Sequence, residues 1–446
     1  MTNSNSPLMD GASSEPSLDL VGGPFTVIES DPGVFTSLAT GFGVKRVEVV
    51  ELYDIEPWAV DHLDPYGLIF CFTWHKDTHR PTDFDDPAAE RVWFANQLSD
   101  DACATHAILN VLFNCPELEL GDELENFRRE TRDFSPLMRG LAITNSPLLR
   151  RVHNSLARPT DIRASLNTIA IDTLNPKKKG PQSSGTKGQS GRQPKSRKSK
   201  SDKRRKQEEP DEDENPTYHF IGYVPAFGKV WELDGLKSGP LEVGELAMET
   251  SRDGWMDVVR PALRHKMAKY GGSGLEDSNI RFSLLAIVQD TQLKIFDELE
   301  FLRKDKDGLE TQMTPGWIDK VDAVLYHQCQ KVFECMTPDG YEHPPGFANR
   351  RMQRDVELME MPKDVLIMAW QTVAQDAIQA RAALDDEISK RAQADTEHLK
   401  RTFDYEPFCK AFVAELHNQG LLHPLLDLDE NGCKMKQPYP KKKQKS

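Results

Sequence analysis

Apolar positions along this chain follow two regimes that meet near residue 290. Before that point, strand and helix signals are mixed. Val47–Tyr53, Gly67–Trp74 and Arg281–Val288 are short runs rich in aromatic and β-branched residues, bounded by breakers, and they predict buried strands. Ser30-Asp31-Pro32 predicts a helix start: Ser30 or Asp31 can cap, Pro32 fits the first helical position, and Val34, Phe35, Leu38, Ala39 and Phe42 follow at helical spacing. After Asp290 the pattern turns helical, with Val365, Met368, Val373, Ala377, Ala380, Leu384 and Ile388 recurring at three to five residues. A last amphipathic run, Phe408, Phe412, Leu416, Leu421 and Leu422, lies beyond Pro407. No repeat of 20 to 50 residues is present.

The 446 residues predict two or three units. The boundaries read as a polar tail over 1–22, a mixed domain over 23–290, a helical extension over 291–395, a short helical module over 396–430 and a basic tail over 431–446. No apolar run approaches the roughly 18 residues of a membrane span, which argues against a membrane partner. The N-terminus has neither a basic nor a continuous apolar region, so no secretory leader is expected. Seven scattered cysteines with no C-x-x-C pair argue against a zinc ribbon and fit a reducing compartment. No metal or other cofactor is called for. His75 and His79 have zinc-compatible spacing, but Pro81 follows soon after and a metal site there is not expected.

Charge is placed unevenly. The whole chain carries −15, yet Lys177–Lys206 holds thirteen Lys or Arg and one acid, and Glu208–Glu214 then places six acids in seven residues. This part has no hydrophobic periodicity, so 174–216 is expected to be a disordered insertion. Lys434–Lys445 adds six lysines without an acid. Such segments suit nuclear import or contacts with the phosphates of DNA or nucleosomes; a solvated linker is the plainer reading.

The chemistry begins at Gln97–Leu109, QLSDDACATHAIL. Ser99, Asp100 and Asp101 are cap-type residues, and Ala104, Ala107, Ile108, Val111 and Leu112 share one helical face. Cys103 then falls in the first turn, where free N–H groups and the helix dipole lower a thiol pKa. The two carboxylates beside it push the other way, and a buried structural cysteine remains the duller reading. Tyr218–Val224 and Lys229–Gly235 flank Pro225–Gly228 and predict a β-hairpin. With the turn centred between Ala226 and Phe227, His219 lies opposite Asp234, with Cβ atoms about 4.5–5.5 Å apart. A carboxylate there can fix the imidazole tautomer, completing a Cys, His, Asp thiol hydrolase; an ordinary cross-strand polar pair is the alternative. Gln97 offers an amide donor near the Cys103 N–H, as an oxyanion hole requires.

At these residues the chain resembles the ubiquitin C-terminal hydrolases. Ile28–Phe35, Phe42–Lys45, Glu51–Tyr53, Gly67–Phe70, the Cys103-Ala104-Thr105 core, His153–Ser155, His219-Phe220, Tyr223–Pro225 and Glu232–Leu236 with Gly239-Pro240 match in order over about 24–290. The resemblance implies Cys103 as nucleophile, His219 as general base and acid, Asp234 as its orienting residue and Gln97 in the oxyanion hole. It implies hydrolysis of bonds to the C-terminal glycine of ubiquitin. It further implies an α/β (α+β) fold, a central β-sheet flanked by helices, papain-like, with knotted topology and a crossover loop before the catalytic histidine, here Leu156–Thr217, plus a C-terminal helical extension. Asp100-Asp101 stands where the family usually has Asn or Ser, and Pro24-Phe25-Thr26 lacks the usual opening tryptophan. Arg401–Phe408 and Gly420–Leu422 resemble the helical module of the two long branches, one working at the proteasome and one on chromatin. The Cys-Ala-Thr-His core, the long insertion and the lysine tail are closer to the chromatin branch. The partners implied are ubiquitin conjugates and a deubiquitinase-adaptor domain at 396–430, in nucleus or cytoplasm. The competing reading is a catalytically weak ubiquitin-binding scaffold tethered to chromatin.

Overall fold

The computed structural model describes residues 24–73, 86–174, 218–247, 254–270, 282–333, 341, 343–344, 346–426 and 428. The basic insertion, both tails, His75, His79, Cys335 and the Gly271–Gly274 loop lie outside them.

In chain order the first part comprises α1 (Pro32–Gly41), β1 (Val47–Glu51), α2 (Pro57–Val60), β2 (Gly67–Thr73) and α3 (Cys103–Leu112). Then come α4 (Asp122–Glu130), α5 (Pro136–Asn145), α6 (Pro147–Ser155) and α7 (Pro159–Leu174). It closes with β3 (Tyr218–Ala226), β4 (Lys229–Leu233), β5 (Leu241–Glu245), α8 (Trp255–Tyr270) and β6 (Phe282–Gln289). The expected α1 cap forms: the Asp31 carboxylate accepts from the Val34 N–H at 3.1 Å, with Pro32 at the first helical position. Ser135-Pro136 and Ser146-Pro147 start α5 and α6 in the same way.

The six strands form one sheet in the order β1-β6-β2-β3-β4-β5, every neighbour antiparallel. Successive residues of each central strand bury on opposite faces, which explains the nearly unbroken apolar runs. Ile69, Cys71, Phe220, Leu285 and Ile287 pack with α1 and α3 on one face; Leu68, Phe70, Ile221, Tyr223 and Leu284 pack with α8 on the other. The fold is thus a central sheet flanked by helices. α3 sits very close to the sheet over Gly67 and Gly222, where an added Cβ would lie 2.3 and 2.8 Å from Val111 methyl carbons.

The helical part comprises α9 (Thr291–Gln312), α10 (Ala323–Val332), α11 (Phe347–Met359), α12 (Leu366–Thr402), α13 (Glu406–Asn418) and α14 (Leu422–Leu425). α12 runs 37 residues and passes without a break through the predicted boundary at 395/396. Val373, Ala377, Ala380 and Leu384 are buried, as their spacing predicts, but Met368 is 65% exposed. Five residues from Met368 to Val373 turn the helix about 140° off the buried stripe. Cys329 is a core residue against Leu309, Leu358 and Trp370, as expected. The extension is tied back to the sheet domain by Arg391 to Asp290 at 2.8 Å and by Arg401 to Glu29 at 2.9 Å. Arg163 on α7 meets Glu406 at 2.8 Å.

Candidate active site

A single 3-10 turn over Asp100–Ala102 feeds α3, so Cys103 is the first residue of that helix. Ala102, not one of the predicted cap-type residues, occupies the cap position. The backbone N–H groups of Ala104 and Cys103 favour a thiolate, but burial outweighs them, and Cys71 and Asp101 add to it, pushing the thiol from 9.0 up to about 12. The expected lowering by the helix terminus therefore does not prevail. A helix N-terminus is worth about 0.3–1 kcal/mol, less than one pH unit at roughly 1.36 kcal/mol per unit. Cys71, on β2, is likewise pushed by burial to about 11, with the Ser30 hydroxyl opposing.

The predicted hairpin forms with a different register. Ala226 pairs Lys229 and Gly222 pairs Leu233, so the turn is the two residues Phe227-Gly228. Both have positive φ, 55° and 77°, the geometry of a type I′ turn that continues strand twist. Pro225 and Ala226 stay in the strand. Asp234 is consequently in register with Ile221 rather than His219, two residues away. A shift of two preserves the face of the sheet, and β4 has already ended at Leu233. The contact therefore survives as a diagonal one: His219 Nε2 lies 2.7 Å from Asp234 Oδ1. Both residues are buried, 2% and 7% exposed. The Asp234 carboxylate also accepts from the Leu236 N–H at 3.0 Å. Burial raises its pKa, but the His219 N–H, the Leu236 amide and Lys237 outweigh that and hold it below the usual carboxylate range. Since Nε2–H is donated to Asp234, Nδ1 is left as the basic nitrogen. Across β2, Phe72 pairs His219, and the two rings meet edge-on at 5.7 Å.

Cys103 reaches this end of the sheet from α3. Its neighbour Cys71 pairs with Phe220, the residue after His219. Among the described residues no hydrogen bond joins Cys103 to His219. Gln97 arrives along the segment before α3: its backbone N–H donates to the Gly235 carbonyl at 2.8 Å, one residue past Asp234. The Asn96 amide donates to the carbonyls of Gly235 at 3.2 Å and Lys237 at 2.6 Å. Asn110 on α3 and Asn114, just past the C-terminal end of that helix, extend this lacing. Asn110 Oδ1 accepts from the Ala95 N–H and Asn114 Oδ1 from the Trp93 N–H, each at 2.8 Å. Sequence reasoning missed Asn96, Asn110, Asn114 and Cys71; Asn110 amid the apolar residues that end α3, and Asn114 just beyond them, were the available signal.

His153 and Asn154 explain the HNS motif as structure. His153 Nε2–H donates to the Thr26 carbonyl at 2.7 Å, and its Nδ1 accepts from the Thr105 hydroxyl at 2.7 Å. Asn154 Oδ1 accepts from the Thr26 N–H at 3.0 Å and its amide donates to the Pro24 carbonyl at 2.9 Å. Together they pin the opening segment against the helix that carries Cys103. Among the described residues no three His, Cys, Asp or Glu side chains gather as metal ligands would. No helix there is long and apolar enough to cross a membrane.

The family model described as "Ubiquitin carboxyl-terminal hydrolase, family 1" matches residues 25–268, more than half of the chain. The chain belongs to the ubiquitin C-terminal hydrolase family. It is a cysteine-type deubiquitinase. It is 36% identical over 288 residues to the Dictyostelium discoideum ubiquitin carboxyl-terminal hydrolase isozyme L5, covering 64% of this chain and 68% of the relative. To the ubiquitin carboxyl-terminal hydrolase calypso of Drosophila sechellia it is 29% identical over 432 residues, covering 93% of this chain and 78% of that one. The solved structure of the Trichinella spiralis UCH37 catalytic domain bound to ubiquitin vinyl methyl ester is similar at 29% identity and a TM-score of 0.41, covering 60% of this chain and 97% of that one. The calypso match covers 93% of this chain and therefore extends past the catalytic domain into the helical extension.

Proposed function

We propose that Cys103 is the nucleophile, His219 the general base and acid, Asp234 its orienting partner and Gln97 an oxyanion donor. The buried 2.7 Å contact between His219 and Asp234 carries this reading. With Nε2–H held by Asp234, Nδ1 takes the Cys103 proton, and the thiolate sulfur adds to the carbonyl carbon of ubiquitin's terminal glycine. The oxyanion accepts from the Gln97 amide and the Cys103 N–H. The imidazolium gives its proton to the leaving amine, and His219 then deprotonates the water that hydrolyses the thioester. Cys103→Ala should abolish hydrolysis of a fluorogenic ubiquitin amide and labelling by ubiquitin vinyl methyl ester while ubiquitin binding persists. Asp234→Asn and His219→Ala should each lower kcat by orders of magnitude without adding, because they act as a unit. Independent, small losses would break the pairing. Covalent labelling at Cys103 supports the enzyme, and absence of labelling would favour the scaffold reading.

The physiological setting is read from the periphery. Phe403 and Tyr405 in the link before α13, Phe408 and Phe412 on α13 and Leu425 on α14 stand 51–68% exposed, as an adaptor-binding module requires. The basic segments 177–206 and 434–445 suit DNA or nucleosome contacts and a nuclear place of work, with the cytoplasm as the other compartment. Deleting Lys434–Lys445 should weaken DNA binding and flatten its salt dependence, by up to about 0.9 log units per log unit of salt for each phosphate no longer neutralised. Salt-independent binding would exclude that account.

A further inference from the structure

The segment that carries Gln97 and the turn that follows Asp234 meet at Asn96, one residue before the oxyanion donor. Asn96 is half-buried, and its backbone is lodged against α5. Its N–H donates to the Pro136 carbonyl at 3.0 Å, and its own carbonyl leaves no room for a Cβ on Gly140. Its side chain crosses to the turn after β4. There Nδ2 donates to the Gly235 carbonyl at 3.2 Å and to the Lys237 carbonyl at 2.6 Å. The Gln97 backbone N–H donates to the same Gly235 carbonyl at 2.8 Å. Two consecutive residues of one segment are thus bonded to the stretch directly after Asp234 on the other.

The two chains are also pressed together. Gly235 is buried, and a Cβ on it would lie 3.0 Å from Gln97 Cβ and 3.1 Å from Gln97 N. A shift of the turn is therefore felt at Gln97. The turn's own bonds do not settle where it stands. The Leu236 N–H donates to Asp234 Oδ1 at 3.0 Å and the Lys237 N–H to the Asp234 carbonyl at 2.9 Å. Both are internal and give the turn its shape. The Asn96 amide ties that shape to the Gln97 segment, and it spends both of its N–H groups on doing so.

We propose that Asn96 is a positioning residue of the hydrolase: its side-chain amide fixes Gln97 against the Asp234 turn, so that the oxyanion donor stands in place when the tetrahedral intermediate forms. This rests on the assignment of Gln97 as oxyanion donor. Such a donor is aimed at where charge develops and not at the resting carbonyl, so its placement matters to turnover and little to substrate binding. Removing a whole oxyanion donor costs about 10²–10³ in kcat. A donor that loses its side-chain strut but keeps the Gln97 N–H bond should lose less, about tenfold, the upper end of one net hydrogen bond.

The test is a double-variant cycle in the full chain: Asn96→Ala, Gln97→Ala and both together. Active sites are counted by end-point labelling with ubiquitin vinyl methyl ester, so that misfolded protein does not enter kcat. Asn96→Ala should lower kcat for a fluorogenic ubiquitin amide about tenfold, with KM and the Kd for free ubiquitin within about twofold of the parent. Gln97→Ala should lower kcat about 10²–10³-fold. In that background Asn96→Ala should cost no more than about twofold further, because the donor it places is gone. Gly235→Ala should give the same signature from the opposite side, since its Cβ presses on Gln97 while the Asn96 amide stays. It carries the test where Asn96→Ala does not fold. An unchanged kcat in Asn96→Ala, a loss that lies in KM, or the full loss repeated in the Gln97→Ala background would overturn the proposal and leave Asn96 a structural contact only. Parental kcat in Gln97→Ala would defeat the oxyanion reading and this proposal with it. A kcat that depends on Gln97 but responds to Asn96 independently would defeat this proposal alone.

Discussion

At the scale of single residues, the site divides into what spacing can carry and what only burial decides. Position in the first helical turn was legible for Cys103, because apolar residues at helical spacing follow cap-type ones. Its acidity was not, since desolvation depends on what the fold stacks above the sulfur. Here that stack includes Cys71 from another strand, and the net result is a thiol pushed up to about 12. Free Cys103 is then a neutral thiol near pH 7, and its intrinsic reactivity is that of its small thiolate fraction. Alkylation of Cys103 by iodoacetamide, followed by mass spectrometry, should be slow at pH 7.5 and rise close to tenfold per pH unit to at least pH 10. A plateau near pH 7 would mean that the free protein already holds a thiolate–imidazolium pair.

Elements were legible where a local rule is strong and misread where partners set the answer. The α1 start, the strands β1, β2 and β6 and the helical character after Asp290 follow from caps, breakers and periodicity. The hairpin was right in kind and two residues out in register, because Pro225 drew the turn towards itself; the paired positive φ values of Phe227 and Gly228 place it one residue later. Close approach of α3 to the sheet had no such local sign. It depends on Gly67 and Gly222, whose missing side chains admit Val111. Gly67 has the least room, since an added Cβ would also lie 2.8 Å from the Tyr223 carbonyl oxygen, which the β-ladder holds in place. Gly67→Ala should therefore lift the C-terminal half of α3, destabilising the protein by about 1–3 kcal/mol. The denaturant midpoint should fall, and Val111→Ala in the same chain should recover part of the loss. An unchanged midpoint would mean that α3 slides freely over the strands.

For the whole molecule, the acid side of its stability is set by two histidines that the chemistry does not employ. His106 and His153 are almost fully enclosed, 1% and 0% exposed. Burial lowers both to about 4, against an ordinary value of 6.5; carbonyl contacts at Ala102, Gly140 and Thr26 oppose this, and His106 adds to it at His153. His106 Nδ1–H reaches the Ala102 carbonyl at 3.0 Å, while its Nε2 is buried with no partner in hydrogen-bond geometry. His153 spends both ring nitrogens on Thr105 and Thr26, with one accepting, so a second ring proton would have to break the Thr105 bond. Both rings are therefore neutral in the folded chain, whereas in the unfolded chain they take up protons below pH 6.5. Between pH 6.5 and about 4 the unfolded state binds more protons, so stability rises with pH and is lost as pH falls through that window. At pH 5 each ring stands about 1.5 pH units below its unfolded midpoint, roughly 2 kcal/mol, or about 4 kcal/mol for the two. Asp234 acts lower still: its depressed carboxyl gives stability that is present above an ordinary value of 3.8 and lost only as pH drops through the folded value. Urea midpoints measured from pH 7.5 to 4.5 should hardly change down to about pH 6.5 and then fall steeply, with close to two protons taken up per molecule unfolded near pH 5 beyond those of the carboxylates. His153→Gln, which keeps one donor and one acceptor, should remove about one of those protons and flatten the fall. If the midpoint were level from pH 6.5 to 5, both rings would have to be open to water, and the opening segment would not be pinned to the helix that carries the thiol.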